Sequence, residues 1–305
     1  MNSRLFCALR RRGCLNLLPD PLYLRLAFKS IMGKKLNLNH PKTFNEKIQW
    51  LKLNDRNPRY SQYVDKYRVR EYISSVLGEK YLIPLIGKWE SADEIDFSKL
   101  PNQFVLKCNH NSGVGLYVCK DKSVIDIESV KKELKRGLTE NYYLSGREWP
   151  YKEIDRCIIA EKYMTDSSTE DCFTDYKFYC FNGYVDCVMV CIDRNINDPK
   201  FYFFDREWNL KRYNVRGKNA PSNFSLQKPG CIDEMFKIAT KLSKGIPFVR
   251  VDLYQSDNQV FFGEMTFYPD SGFDPNYLDE TDKYFGDLID LSISYKKINT
   301  NGLSK

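Results

Sequence analysis

Four short stretches of this 305-residue chain carry residue types that could do chemistry. In the first, Phe104-Val-Leu-Lys107 runs into Cys-Asn-His-Asn-Ser-Gly113-Val-Gly115, so a strand delivers one lysine into a polar loop with two glycines. Glycines let backbone N–H groups approach phosphate oxygens while a lysine supplies a point charge, which is how a phosphate is held. The stretch lacks the adjacent Gly-Lys-Ser/Thr of the standard phosphate loop, and an ordinary strand and turn with a lysine at its edge explains it equally. In the second, Phe248-Val-Arg250-Val-Asp252-Leu-Tyr254 is followed by Glu264 and Thr266 on the next apolar run. Alternation puts Arg250, Asp252 and Tyr254 on one strand face, and a turn at Ser256–Asn258 returns Glu264 beside them. Two converging carboxylates are hard oxygen donors of the kind Mg²⁺ takes, and the arginine can stabilise charge on a transferring phosphoryl group. A cross-strand salt-bridge cluster is the plain alternative.

The third stretch, Asp175-Tyr-Lys177-Phe-Tyr-Cys-Phe-Asn-Gly183, places Asp175 and Lys177 on one face and Tyr176, Phe178 and Cys180 on the other. The fourth, Ile158-Ile-Ala-Glu161-Lys162-Tyr-Met164, is an apolar strand with a polar end, where a chain can leave one lobe and offer its backbone to a flat base edge.

The elements that must position these residues follow from hydrophobic periodicity. Residues 4–30 read as amphipathic helical material and 37–77 as further helices, one opened by the capping-box spacing at Thr43 and one running from Gln62 to Val76, with Gly78 as a stop. Strands are expected at Tyr81–Ile86, Phe104–Cys108, Ile158–Met164, Tyr176–Phe181, Val185–Ile192, Phe201–Phe204, Phe248–Tyr254 and Val260–Met265. Asn182-Gly183 marks a hairpin, and helices are expected at Ser123–Leu138 and Ile232–Ser243. Hairpin-joined strands without repeated strand–helix–strand units argue for antiparallel sheets in an α+β or mixed α/β class and against a doubly wound dinucleotide fold. The stretch Asn299–Lys305 reads as a frayed, flexible tail.

Composition narrows the class further. At 42% hydrophobic and 29% charged, the chain has material for real cores, which excludes wholesale disorder. No run approaches the roughly 20 uninterrupted apolar residues of a membrane span. The net charge of +7 and the run Arg10-Arg11-Arg12 attract phosphates of many kinds and name no partner. The N-terminal arginines follow a short apolar patch, the reverse of a secretory signal, and that helix either packs on the body or lies on an anionic membrane surface. Ten cysteines without short Cys-x-x-Cys pairs read as reduced and buried, and with His40 and His110 as the histidines, zinc-finger patterns are missing.

Taken in order, these segments resemble the ATP-grasp superfamily and, more narrowly, the TupA-like ATP-grasp proteins of bacterial surface-polysaccharide gene clusters. The likeness spans about residues 20–290 and rests on Lys42-Thr-Phe-Asn-Glu-Lys-Ile-Gln-Trp50, Asp65-Lys-Tyr-Arg-Val-Arg-Glu-Tyr72, Phe104–Gly113, Asp175–Gly183, and Arg250–Asp252 with Glu264–Gly272. It implies an ATP-grasp fold: two α+β lobes with mostly antiparallel sheets, preceded by an N-terminal helical segment. The expected divisions are 1–77 for the helical segment, 78–164 for the first lobe with its glycine-loop lid, 165–295 for the second lobe with the metal and phosphate site, and 296–305 for the tail. By resemblance, Lys107 contacts nucleotide phosphates, and His110–Gly115, with Ser112 and Gly113, forms the mobile loop above them. Glu161, Lys162 and Met164 belong to the adenine-binding hinge, Asp175 and Lys177 face nucleotide and substrate, and Lys66 reaches phosphate. Arg250 and Arg194 lie on the substrate side, and Asp252, Glu264 and Thr266 hold magnesium. Thr266 departs from the superfamily's usual asparagine at that place, and the helices of 1–77 replace the usual N-terminal α/β domain.

The resemblance implies ATP and Mg²⁺ as cofactors and an ATP-dependent carboxylate–amine ligase. Its expected substrates are a hexuronic-acid-containing glycan or lipid-linked precursor and an amine or amino acid. Nucleic acid is not an expected partner. The expected location is cytoplasmic, with peripheral membrane contact through the basic N-terminus left open. A sugar kinase, another phosphotransferase, a glycosyltransferase and a non-catalytic partner are the competing readings; no Asp-x-Asp nucleotide-sugar motif is evident, and phosphoryl transfer needs positioning and charge rather than a protein nucleophile.

Overall fold

The computed structural model describes residues 3–165, 174–192 and 199–294. The region Asn299–Lys305 lies outside them. Helices α1 (Ser3–Arg11) and α2 (Asp20–Met32) pack around Phe6, Tyr23, Leu24 and Phe28, and Phe273 from far along the chain closes this small core. Helix α3 (Phe44–Asn54) starts at the expected capping box, with Thr43 accepting the Glu46 N–H and Glu46 reaching back. The helix expected from Gln62 to Val76 is broken into α4 (Arg59–Val64) and α5 (Val69–Leu77). Asp65 causes the break: its carboxylate accepts the N–H groups of Tyr67 at 2.8 Å and Arg68 at 3.1 Å, a local turn that competes with helix continuation. Lys66 therefore sits in a bend.

Two antiparallel sheets follow. The first has the order β1-β4-β2-β3, with β1 Leu85–Trp89, β2 Phe104–Cys108, β3 Leu116–Cys119 and β4 Ile158–Lys162. Helix α6 (Ile127–Thr139) backs it, with Val130 and Leu134 meeting Phe104, Leu106, Ile158 and Ala160. The strand expected at Tyr81–Ile86 starts later, because Glu79–Tyr81 is a 3-10 turn and Pro84, which has no N–H, precedes the first paired residue. Likewise α6 begins at Ile127 rather than Ser123, since the Asp126 carboxylate caps it by accepting the Ser129 N–H at 3.1 Å. A four-residue helix α7 (Tyr143–Gly146) lies between α6 and β4.

The second sheet has the order β10-β9-β5-β6-β7-β8: β5 Asp175–Phe181, β6 Tyr184–Ile192, β7 Lys200–Phe204, β8 Leu210–Lys211, β9 Val249–Ser256 and β10 Gln259–Thr266. Short α8 (Val215–Lys218) follows β8, and α9 (Ile232–Ser243) covers one face, where Phe236 meets Phe178 edge-on. Both expected hairpins form, with positive φ at Asn182 and Gly183 and at Asp257 and Asn258, as two-residue turns require. Helix α10 (Asp279–Leu288), for which no expectation was drawn, packs on α3 with Phe285 against Phe44. Helices α3–α5 share the core of the second sheet, whereas α1 and α2 do not. Cys108, Cys157, Cys180, Cys187 and Cys191 are buried and unbridged. Among the described residues, no helix is long and apolar enough to cross a membrane.

Candidate active site

With α9 on one face of the second sheet, the alternate residues Asp175, Lys177, Arg250 and Asp252 crowd the other. Register aligns Lys177 with Asp252 and Asp252 with Glu264. The second alignment depends on a bulge between Phe262 and Glu264, where a Cβ on Gly263 would lie 2.8 Å from the Tyr254 ring and 2.9 Å from the Asp252 carbonyl oxygen. Asp252, 1% exposed, accepts Arg250 Nε and Nη2, both at 2.7 Å, and Lys177 Nζ at 2.5 Å. Burial pushes the Asp252 carboxyl up from its ordinary value, and the two cations counter it. Three charge-assisted donors on one carboxylate keep it ionised. Lys177 also pairs with Asp175 at 2.5 Å. Arg250 Nη2 reaches Glu264 at 3.4 Å and the Thr266 hydroxyl at 3.2 Å, and that hydroxyl donates to Glu264 at 2.9 Å. Burial opposes ionisation of Glu264, but Arg250, Lys66 and Lys177 prevail and hold its carboxyl at about 2.

The first sheet supplies the facing wall. Neighbouring β2 and β4 bring Lys107 Nζ to 2.6 Å from Glu161 Oε2, while Arg70 on α5 holds the other oxygen at 3.3 Å. Lys66 donates to the Asn111 carbonyl at 2.5 Å; burial and then Lys107 draw its pKa down, with Glu264 opposing. Between the walls lies a cleft of about 380 Å³ whose lining includes Lys66, Lys107, Ser112, Gly113, Asp175, Lys177 and Glu264. Its other end is apolar, with Leu82, Ile83, Val105, Leu116 and Phe262, and the Glu161–Met164 segment runs along it. A slot that is cationic at one end and apolar with a polar backbone edge at the other suits a phosphorylated base.

Several expected site residues lie elsewhere. His110 does not line the cleft: its ring is buried with Nε2 3.1 Å from the Glu140 carbonyl oxygen, and burial lowers its pKa to about 4. The Asn109–Asn111 run is pinned, by Asn109 to Asp155 O at 2.9 Å and by Asn111 to Gly137 O at 3.1 Å, so the exposed part of the loop begins at Ser112. Arg250, Asp252 and Thr266 do not line this cleft. Arg194 lies outside the described residues. Arg70 was passed over as a site residue because nothing in its spacing marks which arginine of its segment turns inward. The donor set fits a hard divalent cation at Glu264, an ionised carboxylate on the cleft wall. Asp252 adds a second carboxylate opposite, although in this arrangement Arg250 and Lys177 occupy it.

A second cavity, about 840 Å³, adjoins the first through Lys177 and is lined also by Arg250, by β6 and β7, and by the segment around Asp270 and Asp274. That segment adopts left-handed backbone at Asp270 (φ 49°) and Ser271 (φ 53°), a conformation unfavourable without a compensating hold. Helix α3 supplies the hold through buried polar residues. Gln49 Nε2 donates to the carbonyls of Ser271 (3.0 Å) and Gly272 (2.6 Å), Lys52 Nζ to Ser271 O (2.6 Å), and Asn45 bonds Asp274 through both backbone groups.

A family model described as TupA-like ATP-grasp matches residues 46–290, which takes in α3 through α10 and both clefts. The chain belongs to the TupA-like ATP-grasp family. No curated protein sequence matches the chain. Among solved structures, it is similar to D-alanine–D-alanine ligase from Bacillus anthracis at 15% identity, covering 76% of this chain and 66% of that one, with a TM-score of 0.43. The same enzyme from Helicobacter pylori gives 13% identity, coverage of 81% and 69%, and a TM-score of 0.44. D-cycloserine synthetase gives 13%, 77% and 71%, and 0.42. This TupA-like chain thus spans about two thirds of the length of the first of these ligases.

Proposed function

We propose that the protein is an ATP-dependent carboxylate–amine ligase that works through an acyl phosphate and modifies a bacterial cell-surface glycan or its lipid-linked precursor, with a hexuronic acid as the carboxylate. The observation that carries this reading is the meeting of Lys66 and Lys107 from one wall with Glu264 and Lys177 from the other in a single cleft. ATP would lie with its base in the apolar end along Glu161–Met164, Lys162 included, and its phosphates among Lys66, Lys107 and the Ser112–Gly113 turn. Asp175 closes the cleft floor beside Lys177. Glu264, with Asp252 and the Thr266 hydroxyl behind it, would hold Mg²⁺, which neutralises phosphate charge when bound.

Lys177 lines both cavities and Arg250 lines the second beside it, so a substrate carboxylate between them would face the phosphate tail. Their cations balance charge while the carboxylate oxygen bonds to the γ-phosphorus and the bond to ADP breaks. The low pKa of Glu264 keeps it anionic throughout the neutral range, and Asp252 holds the two cations in place. An amine then displaces phosphate to leave an amide. The chemistry needs no protein nucleophile, in keeping with a cleft built of cations and carboxylates. The ATP requirement favours a cytoplasmic location.

The test is incubation with ATP, Mg²⁺, D-glucuronate or D-galacturonate and a set of amino acids, scoring ADP release, product mass and hydroxamate after hydroxylamine addition. Amide and hydroxamate are expected. A sugar phosphate without hydroxamate would replace the ligase reading with the kinase one.

A further inference from the structure

We propose that the α1–α2 helix pair is a docking surface for an anionic lipid bilayer, its arginines and lysines meeting the headgroups while Leu17 and Leu22 enter the acyl boundary. This surface is separate from the ATP cleft and stands without the ligase reading. The first 42 residues hold nine Lys or Arg and one acidic residue, a charge of +8 against +7 for the whole chain. The other 263 residues are close to neutral, at −1, so the entire excess sits in this one unit. The family match begins at residue 46, beyond it.

The pair presents its charge outward. Phe6, Tyr23, Leu24 and Phe28 are spent on the small core, so α1 does not lie on a bilayer by its apolar stripe, and contact falls to the outer face. On α2, Leu22, Arg25 and Lys29 follow at i, i+3 and i+7, which puts them on one side of the helix, and all three are exposed. Arg11 and Arg12, also exposed, stand where α1 ends and the turn toward α2 begins. Asp20, the one acidic residue, is engaged by the body: it accepts the Tyr143 hydroxyl at 2.5 Å and lies 3.8 Å from Arg147. It offers the outer face little counter-charge.

Leu17 decides between polyanions. It is 97% exposed, yet the backbone beside it is fixed: the buried Arg147 guanidinium donates to the carbonyls of Leu15 at 2.9 Å and Asn16 at 3.1 Å, and the Tyr23 hydroxyl ties α2 to Ser145 O at 2.8 Å. A lone exposed leucine is ordinary, but here a pinned turn holds one out in a segment dense with cations, and Leu22, five residues on, is 46% exposed. Nucleic-acid phosphates would pair with the cations and leave both leucines in water. A protein partner is anchored by a contiguous apolar or aromatic centre, which two leucines among cations do not form. An anionic bilayer answers both features, because an apolar layer lies just beneath the charge.

The experiment is flotation of the full chain with phosphatidylcholine vesicles, with and without about 30 mol% phosphatidylglycerol, at about 0.1 M and about 0.5 M NaCl. Binding to the anionic vesicles is expected at the lower salt, with affinity at least about tenfold lower for phosphatidylcholine alone and at the higher salt. Leu17→Gln keeps every charge and should weaken vesicle binding at least about threefold, and Arg11→Ala/Arg12→Ala/Arg25→Ala/Lys29→Ala should weaken it at least about tenfold. All five side chains are exposed, so circular dichroism should match wild type, and Leu17→Gln alone decides if the quadruple variant misfolds. No binding to anionic vesicles, or equal binding to both vesicle types, overturns the proposal. Binding that Leu17→Gln leaves unchanged overturns it too, and a DNA duplex bound more tightly than the vesicles assigns the surface to nucleic acid instead. Flotation requires neither ATP nor an acceptor, so failure here is distinct from failure to release ADP with uronate and amine.

Discussion

Asp252 and Glu264 face each other across a bulge yet have separate physical duties. Asp252 is enclosed by Arg250 and Lys177, whereas Glu264 presents its carboxylate to the cleft. Asp252→Asn should therefore act mainly on stability: it leaves two buried cations short of their counter-ion, which typically costs about 3–5 kcal/mol. Chemical denaturation checks this. Glu264→Ala and Lys107→Ala should abolish ATP turnover while leaving the fold intact by circular dichroism, and full turnover in both would remove the assigned site. Gly263→Ala should lower turnover too, because the added carbon meets the Tyr254 ring and Asp252 carbonyl and shifts the bulge that aligns Glu264. At this scale much was legible. Lys177, Arg250, Asp252 and Glu264 meet on one face of the second sheet, as their strand alternation implied. His110 was not, since whether a loop histidine faces a cleft or a helix C-terminus depends on the contact with Glu140, which local sequence does not encode.

Among the elements, α3 bears most on function through its least obvious residues. Asn45, Gln49 and Lys52 recur at helical spacing, each 0% exposed, and they bind the Ser271–Asp274 backbone instead of an apolar partner. Lys52 Nζ donates to Gln49, Gly146 O and Ser271 O at 3.1, 2.7 and 2.6 Å, so its three N–H groups are all answered. Lys52→Met should cost roughly 2–4 kcal/mol in urea unfolding, since it strands buried carbonyl oxygens. Gln49→Leu should loosen the Asp270 loop and raise KM for the carboxylate substrate more than KM for ATP. Strands were readable because a half-buried strand alternates. The helix break at Asp65 and the whole of α10 were not: the α10 inner face includes Thr281, Asp282 and Gly286, and Asp282 bonds Asn45 at 2.9 Å. A polar inner face leaves no apolar periodicity to find.

For the molecule as a whole, the buried groups set the acid limit of stability. His110 has its folded pKa depressed to about 4 from 6.5, so its contribution is fully present above pH 6.5 and is lost as pH falls toward 4. The shift corresponds to at most about 3 kcal/mol. Urea unfolding between pH 7.5 and 4.5 should show this loss, and His110→Phe should flatten that part of the curve. Lys66 in the Asp65 bend and Arg70 on α5 both line the cleft proposed for ATP, while α3 holds the wall of its neighbour. Helices α3 and α5 and the Asp65 bend thus contribute to the walls of the candidate site. A fragment spanning 78–294 should fail to retain ATP in equilibrium dialysis, because cutting there removes the Lys66 and Arg70 part of the cleft wall.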